Sequence, residues 1–235
     1  MDLELLELLA LALAPVIFIF TYVYLRDEYE REPLKYLIIT FLMGVFTAAP
    51  VIGLSPYLQS WLSVNARVED PVDLIIYAFV VVATLEEGMK YLVLRWYNYP
   101  HKEFDEPYDG IMYGVAVSLG FAAIENVLYV FSAGESALET GLLRMFTAVP
   151  AHATFGVMMG YFVGKAKFLQ NGANPFVERT KGLLTAIFFH GCYDYFLFLN
   201  DAYLAIFAFV ALGVGLFLGR RAMLVHVAIS PHRWG

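Results

Sequence analysis

Apolar residues run along this chain in blocks of about twenty, and a helix of that length crosses the roughly 30 Å hydrocarbon core of a bilayer. Seven such blocks are predicted, over residues 4–25, 35–58, 73–95, 110–132, 142–165, 179–199 and 202–220. The expected fold is all-α: a polytopic transmembrane helix bundle of about seven spans, forming one membrane-embedded domain over residues 1–235. No block of sequence between the spans is long enough for a soluble domain, and no internal repeat is visible. Residues 61–70 read as a short surface segment. The longest other loops are RWYNYPHKEFDEPYDG and KAKFLQNGANPFVERTK. The first apolar run, Leu8 to Leu25, exceeds a signal-peptide core and follows the acidic Asp2, Glu4 and Glu7, so it reads as a retained span.

Composition agrees with the pattern. Of 235 residues, 60% are hydrophobic and 16% charged, where a soluble domain is nearer a quarter charged. A formal net charge of -7 gives no support for a nucleic-acid partner, and the single cysteine, Cys192, forbids an internal disulfide. Basic residues set the orientation. Arg26, Arg31 and Lys35 follow the first span, and Arg95 and Lys102 the third. Lys165, Lys167, Arg179 and Lys181 flank the loop after the fifth, and Arg220, Arg221 and Arg233 follow the seventh. That is twelve on one side, against Arg67 and Arg144 on the other. The amino terminus is expected outside and the carboxyl terminus in the cytoplasm.

Ionisable side chains inside spans are costly unless paired or wet, so each is a functional candidate. They are Glu86, Glu87 and Lys90 in the third span, Glu125 in the fourth, His152 in the fifth, and His190 and Asp194 in the sixth. Lys90 stands three and four residues after the glutamates and can fold back onto either. The glutamates leave the helix about 100° apart, which argues for different tasks. His190 and Asp194, four apart, share a face suited to chelating a metal or orienting the imidazole. His152 heads the stripe Gly156, Gly160, Gly164, whose small residues permit close helix packing. Singly, each residue has a structural explanation: an ion pair, a hydrogen-bonded core histidine, or Glu125 beside Asn126 bonding a neighbouring helix. Together, on four successive spans, they form the inventory of a hydrolytic site.

Four segments carry a resemblance to a known family: EEGMK, FAAIE within GFAAIENVLY, HATFGVMMGY and HGCYDYF. In order and placement they resemble the PrsW intramembrane proteases, over roughly residues 75 to 200. That family is similar in turn to the CAAX prenyl endopeptidases and their bacterial relatives, where the second motif ends in His instead of Glu. The resemblance implies an active site of Glu86, Glu87, Glu125, His152, His190 and Asp194 on spans of about 73–199, with Lys90 and Asn126 in support. It also implies a multi-pass enzyme of a prokaryotic plasma membrane whose substrate is a single-pass membrane protein, such as a membrane-anchored anti-sigma factor.

Two mechanisms are compatible with these residues. In one, Glu125, His152 and His190 hold a divalent metal ion, zinc by preference, and a glutamate of the third span is the general base. In the other, Glu86 or Glu87 activates water without a metal and the histidines stabilise the oxyanion. Three close carboxylates with Lys90 as fixed cation favour the metal. A proton- or metal-ion-coupled transporter is the rival from another class, although no inverted repeat is visible. Residue counts from the outer span ends place Glu125, His152 and His190 about 7–10 residues deep, roughly 10–15 Å at 1.5 Å per residue. Cleavage is therefore expected near the extracytoplasmic end of the substrate. The oligomeric state has no signature in the sequence.

Overall fold

The computed structural model describes residues 3–64, 70–168 and 174–234, which form helices and short connections with no strand among them. Helices α1 (Leu3–Leu25) and α2 (Leu34–Leu62) come first. A third helical rod follows: α3 (Pro71–Ile76), a π-helical stretch Tyr77–Ala83, α4 (Thr84–Val93) and a second π-helical stretch Leu94–Asn98. Then come α5 (Pro107–Ser132), α6 (Ala137–Phe146), α7 (Ala148–Lys167), α8 (Pro175–Phe198) and α9 (Ala205–Ala228). The predicted seven-span bundle is therefore present. Part of the surface segment expected over 61–70 lies outside the described residues, and its first two residues complete α2.

Five helical segments are long and apolar enough to cross a membrane, among them α1, α2, α5 and α9. Their outward faces carry large apolar side chains, such as Ile17, Phe18, Phe46 and Phe217, each more than half exposed. That arrangement suits lipid. The rod Pro71–Asn98 and α8 are less apolar because they carry Glu86, Glu87, Lys90, His190 and Asp194. The charges that lower their hydropathy are turned inward.

Two helices form the centre. Every residue of α5 from Pro107 to Ala123 is buried, and α5 packs most extensively against α7. The contact is backbone on backbone. A Cβ on Gly156 would stand 2.6 Å from the carbonyl oxygen of Gly114 and 2.8 Å from Ser118 Oγ. The small-residue stripe expected on the His152 helix thus meets a matching stripe on α5. Polar bonds lock α1 to α5: Tyr108 Oη donates to Val23 O at 3.0 Å, and Asn126 Nδ2 to Ala12 O at 2.9 Å.

Two boundaries differ most from the sequence expectation. The fifth span begins at Ala148, and α6 is a separate helix ahead of it, packed on α1 and α5. The break falls at Thr147 (φ -123, ψ -75) because Pro150 has no N–H to donate and its ring would meet the Phe146 carbonyl in a continuous helix. In the first turn of a new helix the same proline is tolerated. His152 therefore lies one turn from the start of its helix. The seventh span runs on to Ala228, so Arg220 and Arg221 lie within the helix, exposed, with side chains long enough to reach the interface.

Candidate active site

The rod, α5, α7 and α8 bring the intramembrane polar residues to one place. Lys90 is its centre, fully buried. Its Nζ lies 2.7 Å from Glu87 Oε1, 3.4 Å from Glu86 Oε2 and 3.2 Å from His152 Nδ1, and 4.2 Å from the centre of the Phe121 ring. An ammonium only donates, so His152 Nδ1 is the acceptor and its Nε2 carries the proton, which is donated to Glu125 Oε2 at 2.9 Å. On the other side, His190 Nδ1 bonds Glu87 Oε1 at 2.9 Å, and its Nε2 faces Asp194 Oδ2 at 3.2 Å and Glu86 Oε2 at 3.9 Å. The Phe155 ring stacks on His190, centroids 4.8 Å apart. The two imidazoles meet edge to face at 5.3 Å.

The glutamates were expected to diverge by 100° along the helix. Lys90 bonds both, because three rotatable side-chain bonds bring each carboxylate back to one ammonium. Their surroundings still differ. Glu86 lines a cavity of about 780 Å³, whereas Glu87 lies behind it, fully buried. Glu125, His152, His190 and Asp194 also line this cavity, together with Arg144. The cavity reaches Ser55 and Pro56 near the end of α2, Tyr77 of the rod and Phe198 at the end of α8. On the orientation inferred from loop charge, these are the outer ends of their helices.

The π-helical stretches on either side of α4 are local features of the site. Thr84 Oγ1 donates to Phe79 O at 2.7 Å, five residues back, at the junction where the rod returns to α-helical winding just before Glu86. A wider turn rotates the residues after it relative to those before it. Such insertions occur frequently at functional sites.

One residue went unrecognised in the sequence. Arg144, assigned there to an outer loop, lies on α6 and reaches into the site. Its Nη2 donates to Glu125 Oε2 at 2.7 Å and its Nε to Asn126 Oδ1 at 2.6 Å, and its guanidinium lies 4.0 Å from the centre of the Tyr129 ring. A basic residue on the side otherwise poor in them, within the apolar GLLRMF, was the available signal.

Glu86, Glu87, His152 and His190 each present a ligand atom within 4.8 Å of the others, all four buried. Glu125, expected among the metal ligands, stands outside that group and is shared between Arg144 and His152, and Asp194 flanks it beside His190. Glu87 Oε2 is buried with no hydrogen-bond partner, an unusual condition for a carboxylate oxygen. Four carboxylates face two fixed cations, Lys90 and Arg144, and the His190 ring, whose two nitrogens each face a carboxylate, so negative charge is in surplus. The donor set and the charge both suit one divalent metal ion.

Comparison with known proteins places this geometry in context. The model of the PrsW family intramembrane metalloprotease matches residues 32–219. Protease PrsW of Geobacillus kaustophilus is 38% identical over 195 residues, covering 83% of this chain and 81% of that protein. Protease PrsW of Clostridioides difficile is 36% identical over 196 residues, 83% of this chain and 81% of its own. Protease PrsW of Bacillus subtilis is 34% identical over 190 residues, 81% and 82%. No solved structure matches. These relatives are bacterial proteases, which disfavours the transporter reading. The chain belongs to the PrsW family of intramembrane proteases, multi-pass proteins of the plasma membrane.

Proposed function

We propose that the cluster of Glu86, Glu87, Glu125, His152, His190 and Asp194 is the active site, and that it hydrolyses a peptide bond of a single-pass membrane protein near its extracytoplasmic end. The observation that carries this reading is the convergence of Glu86, Glu87, His152 and His190 on one buried point beside a cavity. A membrane-anchored anti-sigma factor is the substrate that the motif resemblance suggests. The chain is read as one protease domain, with its amino terminus outside.

Glu86 is assigned the general base, because of the two glutamates it is the one on the cavity wall. Its carboxylate takes a proton from the attacking water and returns one to the leaving amine. Glu87 accepts a hydrogen bond from His190 Nδ1 and so turns Nε2 toward the cavity, Glu86 and Asp194. Lys90 keeps the two carboxylates in register and, by donating to Nδ1, fixes which nitrogen of His152 carries the proton. Asp194 steadies His190 from the other side, and Asn126 and Arg144 hold Glu125 against His152. The substrate helix must unwind locally to enter, since the carbonyls of an intact helix are already hydrogen-bonded.

His152, His190 and Glu87, the last through its partnerless Oε2, are the residues that would hold a zinc ion, each imidazole exchanging one of the hydrogen bonds described above for the ion. The chemistry such an ion supplies is Lewis-acid polarisation of the carbonyl under attack. Glu125, placed in the ligand set by the sequence, is read here as orienting His152. The test is cleavage of a single-pass reporter by protein stripped with phenanthroline and then reloaded. Loss on stripping and recovery with Zn²⁺ is expected. Full activity after stripping, with metal content confirmed as nil, would leave Glu86, Lys90 and the histidines to act alone.

A further inference from the structure

A second group of buried carboxylates lies at the end of the bundle opposite the cavity. Asp27 follows α1, Glu32 precedes α2, Glu106 precedes α5, and Asp109 is in the first turn of α5. Each is at most 1% exposed. Asp27, Glu106 and Asp109 present oxygens within 4.8 Å of one another. Glu32 adjoins them: its Oε2 accepts a hydrogen bond from Tyr113 Oη at 2.5 Å.

Acidic clusters alone mean little, but here the hydrogen-bond inventory is incomplete. Asp109 Oδ2 accepts from the backbone N–H groups of Asp105 and Glu106, at 2.8 and 2.7 Å, and Glu106 accepts from Ser230 Oγ. Asp27 Oδ2, Glu32 Oε1 and Asp109 Oδ1 are buried with no N–H or hydroxyl donor, and the groups within hydrogen-bonding reach are other carboxyls, Glu106 beside Asp27 and Asp109 beside Glu32. The ion pairs at this end, Lys102–Glu103, Lys165–Glu178, Lys181–Glu178 and His232–Asp105, all engage other carboxylates. Buried carboxylates must hold either protons or a cation among them, and Lys167, the lysine whose charge acts on Asp109 and Glu32, donates to His101 O.

We propose that Asp27, Glu106 and Asp109, with Glu32 beside them, form a binding site for a hard divalent cation, separate from the catalytic cluster. The donors are all oxygens, the preference of calcium and magnesium and not of zinc. Four carboxylates from two segments of chain suit the larger and geometrically more tolerant Ca²⁺ better than Mg²⁺, which demands near-ideal octahedral geometry and keeps several waters, so calcium ranks first. The bound ion ties the turn between α1 and α2 to the start of α5. Through Ser230 and Glu106 it ties in the segment that follows α9 as well.

The experiment uses the full chain in detergent, carrying His152→Ala and His190→Ala so that the catalytic cluster lacks its imidazoles. After chelator treatment, Ca²⁺, Mg²⁺ and Mn²⁺ are titrated by calorimetry, and thermal unfolding is followed with each. About one equivalent of Ca²⁺ should bind and raise Tm, with Mg²⁺ weaker. Adding Asp27→Asn should weaken Ca²⁺ binding by at least about tenfold, the upper range for losing even an indirect partner being about a hundredfold. Should Asp27→Asn fail to fold, Glu32→Gln and Glu106→Gln decide by the same titration. No saturable binding of any of the three ions at millimolar concentration overturns the proposal, as does binding that these variants leave unchanged. A Tm raised by Asp27→Asn with no response to cations also overturns it, since the carboxyl groups would then be sharing protons.

Discussion

Replacing Arg144 with methionine removes two charge-assisted hydrogen bonds, to Glu125 at 2.7 Å and Asn126 at 2.6 Å, and keeps most of the side-chain volume. Truncating one partner of a fully buried ion pair costs about 3–5 kcal/mol. Here the side chains of Arg144 and Glu125 are 13% and 21% exposed, and water reaching the stranded carboxylate reduces that to roughly 2–3 kcal/mol. If the loss falls on the transition state, kcat/KM drops about 30- to 150-fold, at 1.36 kcal/mol per factor of ten. Because Arg144 acts through Glu125 on His152, kcat should fall more than KM rises. Arg144→Lys should recover only part of the activity, since a point charge cannot bridge Glu125 and Asn126 together. The assay is cleavage of a single-pass reporter in proteoliposomes, run as a double-mutant cycle with Glu125→Gln. A coupling of roughly 1–3 kcal/mol is expected between the two positions. Wild-type activity in Arg144→Met, or strictly additive effects in the cycle, refutes the assigned positioning role.

Other perturbations test other parts of the account. Glu87→Gln and His190→Ala should each lower cleavage by about 10²–10⁴-fold while the protein still inserts and gives a native-like circular dichroism spectrum. Lys90→Met strands Glu86 and Glu87 against each other in a buried site and should destabilise the fold by about 3–5 kcal/mol, read by thermal unfolding in detergent. Gly156→Leu should prevent α5 and α7 from closing, because even a Cβ there lies 2.6 Å from the Gly114 carbonyl. Loss of folded protein on size-exclusion chromatography is the expected result, and a normally folded, active variant contradicts the backbone-contact reading.

The spans were legible because their length is set by the bilayer and their composition by lipid. The gathering of Glu86, Glu87, Glu125, His152, His190 and Asp194 was legible for a related reason, since charge in hydrocarbon needs partners. The break at Thr147 was not, because apolar residues lie on both sides of it and Pro150 reads equally well as a kink. The π-helical winding of Tyr77–Ala83 leaves no mark in YAFVVVA, where every residue suits an ordinary helix. Arg144 was misplaced because counting basic residues treats each as loop charge, and its partners lie 18 and 19 residues earlier on another helix. The acids at the far end come from segments about 80 residues apart, and only tertiary packing makes neighbours of them.

On the proposed function, water activated by Glu86 makes a cut near the outer face of the membrane. The most direct test is mass-spectrometric mapping of the new terminus in a single-pass reporter, after incubation with wild-type and Glu86→Gln enzyme in proteoliposomes. A terminus at or just beyond the extracytoplasmic end of the reporter's span, absent with the variant, is the predicted result. A terminus on the cytoplasmic side, or the same product formed at the wild-type rate by Glu86→Gln, would contradict it.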